Sequence, residues 1–340
     1  MRDQPAGVTE PELARALAGG WGLAGWTLRY APVGAGSYHW VAAGDASGER
    51  RFVTVDDLDK KGWLGRTRPA VLAGLRTAMV AALTLRQAGL GFVAAPEPAL
   101  TGETVRPLGA RHAVTVFPFL AGSPGDWGEP LPAAERGELV TMLAALHRAD
   151  PAAARLPRVD PGLSWRGDLE TALAELGQRW TGGPYAEPAR ALLAGAAAPV
   201  RRQLDRLDRW AAGLAAAPVV VTHGEPHPGN VMRLPATPGD TGQAGARLAL
   251  IDWDTAGLAP PERDLWLVAT ESGDELHRYA ELTGRPADPA AVEFYRLRWA
   301  LDDLSCFVRD LRTPHRRTPG TEHAWQALEI TIADLTELPW

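Results

Sequence analysis

Cysteine is almost missing from this 340-residue chain: Cys306 stands alone, which excludes an intrachain disulfide framework and any cysteine-rich zinc site. Lysine is nearly absent too. Lys60 and Lys61 are the only two, and all other basic side-chain charge apart from histidine is arginine. A GC-rich coding bias produces such Arg-, Ala-, Gly- and Pro-rich usage, so it carries no functional weight. No uninterrupted apolar run reaches the ~18–20 residues needed to span a bilayer. The N-terminus, with Asp3, Glu10 and Glu12 near Pro5 and Pro11, lacks the basic start and apolar run of a secretory leader. No segment of ~20–50 residues repeats, which excludes a solenoid. Charged residues make up 22% and the formal net charge is -6, against disorder and against a surface built for nucleic acid. What is present is ample core material, 46% hydrophobic, enough for two lobes of roughly 100–200 residues each. The expectation is a globular, cytoplasmic protein with neither membrane nor nucleic acid as partner.

The local pattern divides the chain. Thr9 and Glu12 read as a capping box, with Pro11 in the first turn, opening a helix that ends near Gly19–Gly20. Strands are expected at 26–33, 38–43 and 51–55, with Gly34 and Gly36 as punctuation and a turn at 45–48. A long helix follows from Pro69 to Gly89, with Val71, Leu72, Leu75, Met79, Ala82, Leu83 and Leu85 at helical spacing. Short strands are expected at 92–94 and 113–117. Pro118, Gly122, Pro124 and Gly125 then form a breaker-rich connection and mark the domain boundary. Beyond it, helices are expected at 132–149, 161–181 and 187–216, strands at 219–222, 231–234 and 248–252, an insertion at 235–246, and helices to the end. Alternating βαβ units are absent, so a doubly wound sheet is excluded. The fold class is α+β: residues 1–117 form a small antiparallel-sheet lobe with one helix, and 118–340 a larger, mainly helical lobe with an embedded β-hairpin.

The chemistry is concentrated in two segments. His223-Gly224-Glu225-Pro226-His227-Pro228-Gly229-Asn230 follows an apolar run, and its prolines and glycines forbid a helix or a ladder strand. A rigid loop therefore presents two histidines, a carboxylate and an amide; ordinary turn chemistry, with His223 satisfied by backbone, is the competing account. Leu248-Ala249-Leu250-Ile251-Asp252-Trp253-Asp254 is a buried strand ending in two acids, an arrangement that holds a hard cation through oxygens. A polar turn after a strand explains one such acid more easily than two. Arg263-Asp264-Leu265 opens a helix after Pro260–Pro261, where Asp264 also suits a cap.

His-x-acid-x-x-x-x-Asn, a hairpin, then a strand-end Asp resembles the protein-kinase catalytic loop and metal-binding Asp. The His-Gly-acid opening, Ile-Asp-Trp-Asp and Arg-Asp-Leu resemble the aminoglycoside phosphotransferase family, whose fold is bilobal and protein-kinase-like. The resemblance implies a small-molecule O-phosphotransferase, moving the γ-phosphate of ATP or GTP to a hydroxyl with Mg²⁺, as a monomer or homodimer; antibiotic resistance or self-protection is the family-level role. It implies that Glu225 orients the acceptor hydroxyl, His223 braces the loop, and Asn230 and Asp252 hold Mg²⁺, with Asp254 a further metal or loop contact. Gly34, Gly36 and Ser37 would cover the phosphates, and Phe117 to Leu120, including Phe119, would form the hinge against the purine. Trp299, Asp302, Asp303, Phe307 and Asp310, at helical spacing, suit a polar acceptor; an amphipathic helix with a solvated acidic edge is the alternative.

Two positions depart from the family pattern. Glu225 stands where Asp is usual, an extra methylene in a geometry where about 1 Å can cost ~10²-fold. The third strand, Phe52 to Asp57, carries no lysine, and the following helix offers Arg76 rather than an acid. An inverted pair, Asp56 or Asp57 facing Arg76, would keep the strand–helix tie, with Lys60 or Lys61 reaching the phosphates or simply solvated. Two other functions remain open at this stage: a kinase-like binding protein with little or no turnover, and a transition-metal site built from His223, Glu225, His227 and Asp252.

Overall fold

A computed structural model describes residues 2–44, 48–126, 128–214, 216–235 and 247–337. The expected turn at 45–48 and the insertion at 235–246 lie largely outside these residues. Two compact units emerge: Met1–Arg158 with Val219–Pro286, and Val159–Pro218 with Ala287–Trp340.

The first unit begins with α1 (Glu10–Trp21), whose N-terminus is closed by the Thr9–Glu12 capping box and whose C-terminus ends on Gly22 in the left-handed conformation. It then lays down β1 (Thr27–Ala31), β2 (Ser37–Ala43), β3 (Arg50–Asp57), α2 (Arg68–Gln87), β4 (Arg106–Leu108) and β5 (His112–Pro118). The strands form one antiparallel sheet in the order β1-β2-β3-β5-β4. Strand alternation sorts its two faces. Tyr38, Trp40, Ala42, Val53, Val55, Val114 and Val116 pack with Leu13 and Leu17 of α1 into one core cluster. Each fully buried leucine there contributes about 1.5–3 kcal/mol. Ser37 and Asp56 are cross-strand partners on the opposite face, as are His39 and Thr54.

The rest of this unit comprises β6 (Ser123–Pro124), α3 (Ala133–His147), α4 (Pro151–Ala154), and, after the second unit's first segment, β7 (Val220–Thr222), β8 (Val231–Leu234), β9 (Arg247–Leu250), β10 (Gly257–Ala259), α7 (Glu262–Leu265) and α8 (Asp274–Thr283). The embedded β8–β9 hairpin is present, with Val231 opposite Leu250. β6 and β10 escaped the sequence reading because two- and three-residue strands are too short to show alternation; β10 pairs with β7, and β6 with β8. The strand expected at 92–94 is instead a turn that ends in a single bridge, Val93 to Leu250.

In the second unit α5 (Arg166–Ala174), α6 (Ala186–Leu214), α9 (Pro289–Arg312) and α10 (Pro319–Glu337) pack together. Leu297, Leu301, Leu304, Val308 and Leu311 make the buried seam of α9, at alternating four- and three-residue spacing. The helix expected over 161–181 is confined to α5, flanked by Pro161–Gly162 on one side and Gly177 on the other.

One expectation about membranes needs amending. Averaged over 18 residues, α2 reaches a mean hydropathy of 1.2 over a 20-residue helix, long and apolar enough to cross a bilayer by composition alone. Its buried residues, Val71, Leu75, Ala78, Met79, Ala82 and Leu85 among them, nevertheless follow the stripe of a helix packed on a protein core.

Candidate active site

The loop after β7 is built on one buried carboxylate. Asp264, at the start of α7 and fully buried, accepts hydrogen bonds from the backbone N–H of His223 (2.8 Å) and of Gly224 (2.6 Å). His147, the last residue of α3, meets the same carboxylate through Nε2 at 3.1 Å while its Nδ1 lies 2.9 Å from the Tyr279 hydroxyl. Burial pushes the Asp264 pKa up, but the bond and charge of His147 and the Arg263 guanidinium outweigh it, so the net shift is downward. Arg263 is equally occupied, donating to Thr222 Oγ1 and to the Thr255 carbonyl, both at 2.8 Å. Gly224 sits against that guanidinium at φ 100°, and a Cβ there would lie 2.5 Å from Arg263 Nη2. Only glycine fits both the backbone and the space. Asp264, readable from sequence as a helix cap, instead clamps the loop.

His223 braces the loop from within. Its Nε2 donates to the Ile251 carbonyl (2.9 Å), and its Nδ1 accepts the Glu225 N–H (3.2 Å). Both ring nitrogens are thus spent, which removes His223 as a metal ligand. Among the described residues no three His, Cys, Asp or Glu side chains cluster at ligating distance. The transition-metal reading fails on these two grounds. Burial lowers the His223 pKa to about 4, below the ~6.5 of an unfolded histidine. Between those values the unfolded chain takes up a proton that the folded chain refuses, so stability falls as pH drops from ~6.5 to about 4 and then levels. The expected loss is on the order of 3 kcal/mol at full development; thermal melts between pH 7 and pH 4 should show it, and a flat Tm across that range would contradict it.

Asn230 closes a 3-10 turn, Pro228–Asn230, and is buried. Its Nδ2 donates to the Glu225 carbonyl (2.9 Å), fixing the loop around Glu225, and its own carbonyl accepts the Ile251 N–H (3.0 Å), joining this loop to the end of β9. The Asn230 side-chain oxygen has no hydrogen-bond partner among the described residues. Just beyond, Asp252 adopts φ 63°, one of two left-handed non-glycine residues among those described. That conformation costs roughly 1–3 kcal/mol and persists at functional sites. Asp252 reaches solvent, and its carboxylate likewise accepts no hydrogen bond from the described residues. The protein crowding it and the neighbouring Asp254 both push its pKa up. An unpartnered amide oxygen and an unpartnered carboxylate on joined loops are the oxygen donors a hard divalent ion requires, so the residues present fit Mg²⁺.

Asp254 is placed differently. Buried beside Trp253, it receives the ammonium of Lys61, which is itself 1% exposed. Lys61 Nζ also lies 3.0 Å from Asp56 Oδ1 and 3.0 Å from Ser37 Oγ, and Ser37 Oγ donates to Asp56 at 2.7 Å. The acids raise the Lys61 pKa against the opposing effect of burial. This corrects two expectations. Arg76 does not face Asp56 or Asp57; it binds Glu103 and the Val105 carbonyl, while Asp57 is held by Arg111. Lys61 is neither solvated nor directed at phosphates, because an ammonium has three N–H donors and here three oxygens take them. Lys60 has no ion pair among the described residues; its charge acts on Tyr38, which belongs to the α1 face of the sheet.

The remaining candidates fall as follows. Gly34 and Gly36 both take positive φ (65° and 84°) in the β1–β2 turn, which ends at Ser37. Phe117 pairs with Phe52 across β5 and β3, and the Phe119 ring lies 3.9 Å beneath the Arg50 guanidinium. In the second unit, Asp302 accepts from the Ser164 N–H (2.7 Å) and hydroxyl (3.1 Å). Asp303 beside it is pushed up to about 7 by burial and by the Asp302 charge, with Trp299 acting in the opposite sense.

A five-stranded antiparallel sheet with one long helix, followed by a loop–hairpin–acid arrangement and a helical remainder, defines the α+β, protein-kinase-like class. A family model for the phosphotransferase enzyme family matches residues 41–295, and the chain belongs to that family; it is a phosphotransferase with an alcohol group as acceptor. A relative, protein StrN of Streptomyces griseus, is 29% identical over 261 residues, covering 72% of this chain and 73% of its own. Among solved structures, a spectinomycin phosphotransferase in complex with ADP and spectinomycin superposes with a TM-score of 0.72 at 16% identity, over 98% of this chain and 99% of that one. Ethanolamine kinase from Plasmodium vivax gives a TM-score of 0.51 at 9% identity, over 90% and 82%. At these identities the structural likeness establishes the fold.

Proposed function

We propose that the protein transfers the γ-phosphate of ATP or GTP to a hydroxyl of a small antibiotic-like or metabolite acceptor, with Mg²⁺, in the cytoplasm where such nucleotides are supplied. The observation that carries this reading is the pair of unpartnered oxygens, Asn230 Oδ1 and the Asp252 carboxylate, beside a loop whose backbone is held by Asp264, His223 and Asn230. Residues 1–117 are read as the nucleotide-binding lobe and 118–340 as the catalytic and acceptor-binding lobe. The Gly34–Ser37 turn supplies backbone N–H groups for phosphate oxygens, and Phe117 and Phe119 mark the purine side. Mg²⁺, held by Asn230 and Asp252, neutralises phosphate charge when bound. Glu225 accepts the hydrogen bond of the attacking hydroxyl and orients it; its own backbone N–H and carbonyl are fixed by His223 and Asn230, so the longer side chain pivots from an anchored base. Trp299, Asp302 and Asp303 are the proposed acceptor contacts, and the two carboxyl groups favour a cationic or polyhydroxylated molecule. The ADP and spectinomycin named for the structural neighbour support nucleotide use and a small polar acceptor here.

The test is a transfer assay over aminoglycosides, aminocyclitols and small amino alcohols. Glu225→Gln should lower kcat ~10²–10⁴-fold, whereas Glu225→Asp, keeping the carboxylate on a shorter stem, should lower it less. Nucleotide binding without transfer across the panel would favour the binding-protein alternative, which the Glu at 225 motivates.

A further inference from the structure

The best-buried lysine in the chain has no assigned task. Lys61 lies in the loop after β3, 1% exposed, yet its ammonium reaches across 193 residues of sequence to Asp254. Its three donors meet Asp254, Asp56 and Ser37, and the Trp63 ring covers it with the centroid 5.2 Å from Nζ. Ser37 and Asp56 are directly opposed in the β2–β3 register, so the ammonium grips that pair and the acid beyond β9 at once. A solvated lysine would hold none of these, and a phosphate-binding lysine would keep a donor in reserve.

We propose that Lys61 is a positioning residue whose ammonium ties three segments into one frame: the Gly34–Ser37 turn, the end of β3, and the Asp252–Asp254 turn. It thereby does the aligning work of the absent strand lysine and withholds Asp254 from the metal, leaving Asp252 free for it. The connection is mechanical and short. Ser37 ends the turn proposed to face the phosphates, Asp254 is two residues from Asp252, and the one ammonium bonds Ser37 and Asp254 directly. The positioning role rests on the phosphotransferase reading; the tie itself does not.

Three variants separate these. Lys61→Met leaves two buried carboxylates facing each other and should melt at markedly lower temperature. Lys61→Met/Asp254→Asn removes the repulsion and should recover most of the Tm. In the ligand-free double variant, amide hydrogen exchange at residues 34–37 and 252–255 should still be at least ~10-fold faster than in the unaltered chain. Its kcat should stay ~10²-fold down, the cost of about 1 Å of misplacement, with KM for the nucleotide raised ~10-fold. Lys61→Arg, whose fork still spans two acids, should restore part of both. A merely structural lysine would give a double variant with recovered Tm, unaltered exchange and unaltered kinetics, and that result overturns the proposal. If exchange accelerates but the unaltered protein neither binds nor turns over nucleotide, the functional reading has failed and the positioning role falls with it, while the tie stands as architecture.

Discussion

Replacing Asp252 by asparagine should reduce phosphoryl transfer by at least ~10³-fold, equivalent to about 4 kcal/mol of transition-state stabilisation, and leave the fold intact. Asparagine tolerates the left-handed conformation that Asp252 adopts at φ 63°, so the backbone turn survives. No hydrogen bond is lost, because the carboxylate accepts none from the described residues. What disappears is one negative charge, the one proposed to hold a divalent ion, Lys61 having engaged Asp254. A metal ion typically supplies several kcal/mol of charge stabilisation at a transferring phosphoryl group. Stability should stay equal or rise slightly, since repulsion between Asp252 and Asp254 is relieved. Steady-state kinetics against Mg²⁺ concentration, with a thermal melt beside them, make the comparison. An Asp252→Asn protein within tenfold of the unaltered kcat would refute the metal assignment.

The second large effect is structural. Asp264→Ala should cost about 3–5 kcal/mol, as expected when one partner of a buried ionic network is deleted. The side chain is fully buried and serves three donors: the N–H groups of His223 and Gly224, and His147 Nε2. Alanine leaves all three unsatisfied and removes the negative charge that Arg263 stabilises. For a domain of this size each kcal/mol shifts Tm by roughly 2–4 °C, so a fall on the order of 10 °C is expected. The pH dependence carries a definite sign. The folded pKa of Asp264 is depressed, so its contribution is present above the unfolded value of ~3.9 and is lost as pH falls through the folded value. Urea denaturation at pH 7 should therefore separate variant from parent fully, and the two should converge in strong acid. A difference below about 1 kcal/mol at pH 7 would show that the loop is held by other contacts.

Much of this was legible in the residues. The capping box at Thr9–Glu12, the 3.6-residue stripe of α2 and the alternation of β2 and β3 are local signals, since each depends on side chains a few positions apart, and each matches an observed element. The loop from His223 to Asn230 announced itself by its prolines and glycines, and the second acidic segment by two acids ending an apolar strand. β10, three residues long, could not be read, because its only reason to be extended is β7, some 35 residues away in sequence.

The charge partners were illegible for the same reason. Nothing in the spacing of Asp56, Asp57 and Arg76 tells which acid meets which base, and the pairing that looked natural along β3 and α2 is absent. Arg111 and Glu103 lay nearer in space to Asp57 and Arg76 respectively. Composition and periodicity determine the fold class and the order of elements, because these follow from local conformational preference and burial; the family's chemistry enters through the resemblance of two short motifs. Only the folded chain decides that Asp264 clamps rather than caps, that His223 has no nitrogen to spare, and that one of two lysines is buried among oxygens. Coulombic and hydrogen-bond partners are chosen by distance in space, which sequence separation does not encode.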